Sequence, residues 1–147
     1  MNENEGRIVV GIDGSDPSKQ ALAWAVRQAR LTGAQIDAVI AWHPVVVFGY
    51  MPPPGDFDVE GAARSALADV IDKTAADAGD VPIHPRVIEG AATRVLVDAA
   101  RGAQLLVVGN RGHAGFTEAL LGSIGQYCVH HAACPVVVVR GSDGEDT

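Results

Sequence analysis

The residues best placed to do chemistry in this chain are glycines. Gly109-Asn110-Arg111-Gly112 is followed, after nine residues, by Gly122-Ser123. Gly109 directly follows the apolar run Leu105–Val108. Gly112 and Gly115 keep the backbone bare of β-carbons where a ligand would approach. Gly122 and Ser123 stand at the start of the last helical pattern, where backbone N–H groups point outward. The helix dipole there favours one exposed negative charge by roughly 0.3–1 kcal/mol. Several amides, the Ser123 hydroxyl and the Arg111 guanidinium would add to that, so the segment suits a di- or triphosphate. A second element is Asp13, which closes the run Ile8–Ile12 and is followed by Gly14 and Ser15. A carboxylate is misplaced beside phosphates but accepts hydrogen bonds from ribose hydroxyls. Asp13 and the glycines therefore suit opposite ends of one nucleotide. Asp-Gly-Ser is equally good turn chemistry, in which Asp13 would serve its own backbone.

These residues need a scaffold, and the pattern of apolar runs supplies one. Five β-branched runs stand out: Ile8–Ile12, Ile36–Ala41, Ile83–Ile88, Leu105–Val108 and Val136–Val139. Most are continuous rather than alternating, as in parallel strands covered on both faces. Pro85 places the third run at a sheet edge. Helical stripes lie between the runs. Leu22, Ala25, Val26 and Ala29 form one, opened by Pro17-Ser18 and stopped at Gly33. Ala63, Ala66, Leu67, Val70 and Ile71 form a second, ending near Gly79. Val95, Leu96, Ala99 and Ala100 form a third, ended by Gly102. Leu121, Ile124, Cys128 and Ala132 form a fourth, closed before Pro135. Such alternation predicts right-handed crossovers, a parallel sheet and an α/β fold. In such folds ligands bind beyond the C-terminal strand ends, where strand order reverses. Asp13 and the glycine segment share one crevice if the first and fourth strands are neighbours. The long connection Trp42–Asp58, rich in proline, leaves the same end of the second strand. Its aromatics Trp42, Phe48 and Tyr50 suit either stacking on a base or packing of the loop itself.

Bulk properties narrow the function. The chain has 147 residues, enough for one domain with a real core, and is 48% hydrophobic and 20% charged. The expectation is a single domain over 1–147 with an ordered core at about 7–140. Net charge is −7 and no Lys/Arg run occurs, which argues against nucleic acid as a partner. A small anion held by local dipoles is still allowed. Met1–Arg7 has neither a basic nor an apolar signal region, and no apolar stretch is long enough to cross a bilayer, so a cytoplasmic protein without membrane attachment is expected. Two cysteines suit a reducing compartment. Cys128, His130, His131 and Cys134 superficially suggest zinc, but no second ligand cluster accompanies them, and a buried cysteine with surface histidines is the better account. No metal-binding residues are assigned. The glycine segment is not a Walker A loop, because no Gly-Lys-Ser/Thr follows it. No general base is evident beside it, and His113 reads as a solvent-exposed loop residue. Catalytic residues are therefore not assigned, and weak hydrolysis at most is expected.

Three segments together resemble the universal stress protein family: Val9-Val10-Gly11-Ile12-Asp13-Gly14-Ser15, the spacing Gly109-x2-Gly112-x9-Gly122-Ser123, and Cys134-Pro135-Val136-Val137-Val138-Val139. The resemblance spans Arg7 to Arg140. It implies a Rossmann-like, doubly wound five-stranded parallel sheet in the order 3-2-1-4-5 with helices on both faces. It implies the ATP-binding branch, a stress-response regulator or sensor whose nucleotide is ATP, with Mg²⁺ as a possible companion. Carried over by position, Asp13 would face ribose and adenine, and the backbone of Ala41 would meet adenine. Gly109, Arg111, Gly112, Gly122, Ser123 and Ile124 would surround ribose and phosphates. The resemblance also implies a homodimer joined through Val136–Val139, which at a sheet edge would otherwise invite pairing. One position departs from the family: Gly125 stands where members often carry a phosphate-contacting Ser or Thr, a loss on the order of 1 kcal/mol. Cyclic AMP is an alternative ligand, and an interaction module without nucleotide an alternative function. Protein partners cannot be read from the sequence.

Overall fold

The computed structural model describes residues 6–43, 58–110 and 122–140. Strands and helices alternate as β1 (Arg7–Gly11), α1 (Asp16–Thr32), β2 (Gln35–Trp42), α2 (Val59–Ala78), β3 (Ile83–Glu89), α3 (Ala92–Ala99), β4 (Leu105–Gly109), α4 (Ser123–His131) and β5 (Val136–Val139). The strands form one sheet in the order β3-β2-β1-β4-β5, and every neighbouring pair is parallel. This is the doubly wound arrangement expected from the sequence. Among the described residues no helix is long and apolar enough to cross a membrane.

The continuous apolar runs are explained by what lies on each side of the sheet. Successive residues of a strand point to opposite faces. Ile8 and Val10 of β1, with Ile36, Ala38 and Ile40 of β2, meet Leu22 and Val26 of α1 and Leu67 and Val70 of α2. Val9 and Val39 point the other way, into a second cluster with Val95 and Leu96 of α3 and Cys128 of α4. Both faces are thus buried, which is why the runs are apolar almost throughout. β3 runs through Pro85 at one edge, where a missing N–H breaks no ladder bond. β5 forms the other edge and is half-buried throughout.

Helix ends follow local chemistry. Ser15 caps α1 by accepting from the Ser18 N–H, and Pro17 sits in its first turn. Gly33, at φ 80°, closes it in the left-handed conformation that glycine adopts without strain. Asp58 caps α2 through the Gly61 N–H at 2.8 Å. α4 is shorter than its apolar stripe suggests: Ala132 is already extended, with ψ 149°, because the chain must turn into Pro135 and β5. Leu121 of that stripe lies outside the described residues.

One buried charge ties three strands to a helix. Asp37 on β2 is only 7% exposed. Its Oδ2 lies 3.3 Å from Arg7 on β1 and 3.5 Å from Arg86 on β3. Arg7 also donates to the carbonyls of Ala99 and Arg101 at the C-terminal end of α3, at 3.0 and 2.7 Å. Removing the carboxylate leaves two partly exposed guanidiniums that water can reach in part. Asp37→Ala is therefore expected to lower unfolding free energy by about 1–3 kcal/mol, read from the urea midpoint, rather than to abolish folding.

Candidate functional site

The strand order reverses between β1 and β4. β1 pairs with β2 on one side and with β4 on the other, in the registers Val9↔Asp37 and Val9↔Leu106. The chain leaves β1 for α1 on one face of the sheet, and the helix after β4, α4, lies on the opposite face. The two exits diverge, so a crevice opens between them at the C-terminal strand ends. Asp13 and Gly109 both stand at that end.

Asp13 sits in a turn built by its own neighbours. Its Oδ1 accepts from the Ser15 N–H at 2.9 Å and from the Ser15 hydroxyl. The Asp13 N–H in turn points to Ser18 Oγ at 3.3 Å, and that hydroxyl donates to the Ser15 carbonyl at 2.9 Å. The turn chemistry foreseen for Asp-Gly-Ser is therefore realised. It fixes the carboxylate at the mouth of the crevice, half-buried rather than sealed.

Gly109 is bare for a reason the sequence did not reveal. A β-carbon there would lie 2.7 Å from Pro17 Cβ and 2.8 Å from the Pro17 carbonyl carbon. The first turn of α1 leans directly on the end of β4, and only glycine admits it. Asn110, also overlooked, makes the next connection. It is 6% exposed. Its N–H donates to the Val139 carbonyl at 2.9 Å, and its carbonyl accepts from the Gly122 N–H at 2.8 Å. The end of β4, the end of β5 and the start of α4 are thereby drawn together, although Asn110 and Gly122 lie twelve residues apart. The only hint of this role was an Asn beside glycine at a strand end.

Gly122 precedes the first residue of α4 in extended conformation, with φ −66° and ψ 164°, and as a glycine it gives the helix no side-chain cap of its own. The amides of Ser123, Ile124 and Gly125 are first-turn donors without an intrahelical acceptor. Ser123 is exposed, while Ile124 packs towards the core. Ala41 lies one residue before the end of β2, paired with Ile88, with its methyl group packed on the α3 side. Trp42 follows it, and its carbonyl accepts from the Gly90 N–H at 2.7 Å. Asp13, Ala41, Gly109, Gly122, Ser123 and Ile124 are thus all found along the C-terminal edge of the sheet. Arg111, Gly112, His113, Gly115, Phe48 and Tyr50 lie outside the described residues. Two grooves, of about 310 Å³ between α2 and β3 and about 330 Å³ between β3 and α3, include none of the six.

The Cys/His segment is engaged otherwise. His131 stacks on Tyr127 at 4.1 Å and its Nδ1 lies 3.0 Å from the Tyr127 carbonyl. Cys128 is fully buried. Burial, with the neighbouring Cys134 adding to it, pushes its thiol up to about 11. Burial also raises Cys134, opposed by Arg7. Among the described residues no three His, Cys, Asp or Glu side chains gather as metal ligands would.

Fold and site together define a doubly wound α/β protein with a glycine-marked crevice at its topological switch point. Residues 5–140 match the model of the universal stress protein family. The chain belongs to that family. It is 35% identical to a universal stress protein of Mycolicibacterium smegmatis over 97% of this chain and 51% of that protein. A universal stress protein of Mycobacterium tuberculosis is 39% identical over 92% of this chain and 45% of its own length. The chain thus spans about half the length of these curated relatives. Among solved structures, a universal stress protein in complex with cAMP superposes with a TM-score of 0.72 at 28% identity, covering 95% of this chain and 100% of that one.

Two outcomes are expected. Gly109→Ala forces the backbone of Pro17 to move, because a proline carbonyl cannot rotate away; about 1–3 kcal/mol of stability should be lost in urea denaturation. Cys128 should resist iodoacetamide at pH 7.5 in the native chain and react readily once unfolded. Its folded pKa of about 11 exceeds the ordinary 9.0, so the thiol's share of stability is intact below pH 9 and is lost as pH rises through 11.

Proposed function

We propose that this chain binds an adenine nucleotide, ATP in the first instance, in the β1/β4 crevice and acts as a nucleotide-dependent regulator of a stress response. The observation that carries the reading is the bond from the Gly122 N–H to the Asn110 carbonyl, which sets the start of α4 beside the end of β4. Asp13 stands one strand away, so a negative pole and a set of amide donors face one crevice from its two sides. That is the polarity of a nucleoside phosphate. Phosphates belong against Gly109, Gly122, Ser123 and Ile124, with Arg111 and Gly112 of the intervening segment. Ribose belongs against Asp13, and adenine against the backbone of Ala41. Mg²⁺ would bridge phosphate oxygens rather than occupy a protein cage.

The related structure holding cAMP supports an adenine nucleotide and gives specific weight to cAMP as a second ligand. The two differ in what they ask of α4. A triphosphate draws on several first-turn amides; a single cyclic phosphate needs fewer. The reading is one of binding and sensing rather than turnover, since the glycine segment lacks a P-loop lysine. Dimerisation through the half-buried edge strand β5 would cover its open ladder and couple two crevices, because β5 is held to the site by Asn110.

Titration of ATP and of cAMP against wild type and Gly122→Val tests the placement. The valine side chain should weaken ATP about tenfold or more and cAMP less, titrated at a temperature where both proteins remain folded. Equal ATP affinity in the two proteins would remove the phosphates from the start of α4. Nucleotide released on denaturing the purified protein and identified by mass spectrometry gives the ligand independently.

A further inference from the structure

The groove between β3 and α3 includes none of the crevice residues, and the geometry points to a second binding site there, one for a small carboxylate with an apolar chain. The strand pleat divides β3 between two faces. Val87 packs on the α2 side, while Ile88 belongs to the cluster on the α3 side, and Arg86 shares the face of Ile88. Across the groove, α3 presents Val95 and Ala99 one turn apart, both packed into that same cluster, with Arg94 beside them. The floor is therefore apolar, made by Ile88, Val95 and Ala99, and each wall brings one guanidinium. The volume, about 330 Å³, falls at the low end of small-molecule sites.

The charges there are not balanced. Arg94 is exposed, and among the described residues it has neither an ion pair nor a hydrogen bond. Asp98, one turn further along α3, pairs with Arg101 at 3.7 Å instead. Arg86 has only a share in a carboxylate: Asp37 Oδ2 lies 3.3 Å from Arg7 and 3.5 Å from Arg86, so one negative charge serves two cations. Glu89 also borders the groove, but in the pleat it falls on the face of Val87. In a chain of net charge −7, four of the eleven Lys and Arg residues are joined at this face to only two carboxylates, Asp37 and Asp98. An anion meets a favourable local field there although the whole molecule repels it. A guanidinium matches a carboxylate through two parallel N–H donors, and Arg94 has its fork available. An exposed ion pair alone is weak, so an inorganic anion gains little. An uncharged chain covers the floor but leaves the cations unpaired. A carboxylate that carries its own apolar chain draws on both terms at once.

The test is calorimetric titration of octanoate, acetate, octanol and inorganic phosphate against wild type, Arg94→Gln and Arg64→Gln. Arg64→Gln removes the same charge from the groove on the α2 side and serves as the control for net charge. Wild type should bind octanoate about tenfold or more tightly than acetate, phosphate or octanol. Arg94→Gln should weaken octanoate about threefold or more and leave octanol unchanged. Arg64→Gln should bind octanoate as wild type does. Equal octanoate affinity in wild type and Arg94→Gln would overturn the assignment, as would an equal loss in Arg64→Gln, which would make the effect one of net charge. Phosphate or acetate binding as tightly as octanoate would reduce the groove to a bare anion site, and octanol binding as tightly would reduce it to an apolar surface; either result rejects the amphiphilic ligand. No heat of binding at millimolar octanoate rejects the site outright. None of these outcomes bears on the nucleotide crevice.

Discussion

The separation between β4 and the first turn of α1 governs the geometry of the whole strand edge. Pro17 reaches so close to Gly109 that a single methyl group would overlap its backbone. The contact is short because two rigid pieces meet there. Proline fixes its own φ, and Gly109 is the last residue of a strand buried between two layers. Neither can yield by rotating a side chain. Asp13 is carried on one of these pieces and Asn110 on the other. The spacing of these strand ends is therefore set by backbone packing when the chain folds.

That rigidity has a source in the doubly wound core. Each central strand sends alternate residues into different helical layers, Val10 towards α1 and Val9 towards α3. A shift of one strand would disturb both layers at once, and closely packed interiors resist small displacements. The strand ends inherit this. The Arg7–Asp37–Arg86 cluster lies at the other end of the same strands, and Arg7 reaches the end of α3 from there. The sheet is pinned at its N-terminal side by ion pairs and carbonyl contacts, and at its C-terminal side by Pro17 and Asn110.

The sequence made the scaffold legible because its signals were redundant. Continuous β-branched runs, proline at one edge and glycine after the first three helical stripes all agreed, and all five strands appear within about two residues of the runs that announced them. The Gly109 and Gly122 pair was legible as well, through spacing. What was not legible is why each glycine is there. Gly109 is occupied by packing against Pro17, a contact between residues 17 and 109 that no local pattern can announce. Asn110 escaped notice for the same reason: its partners Val139 and Gly122 belong to different elements. Asp13 was read both as a ligand group and as a turn former. The hydrogen bonds from Ser15 establish the second role.

The net charge of −7 makes the balance of forces at this edge informative. A protein with that charge repels anions at long range, so a bound phosphate must be held by near contacts that win within a few ångströms. Fixed amides do this without desolvating a buried cation. Gly125 fits the same logic. It lies in the first turn of α4 and is buried. Glycine inside a helix costs about 1 kcal/mol relative to alanine. The helix tolerates it in its first turn, where the amides of Ser123, Ile124 and Gly125 have no intrahelical acceptor.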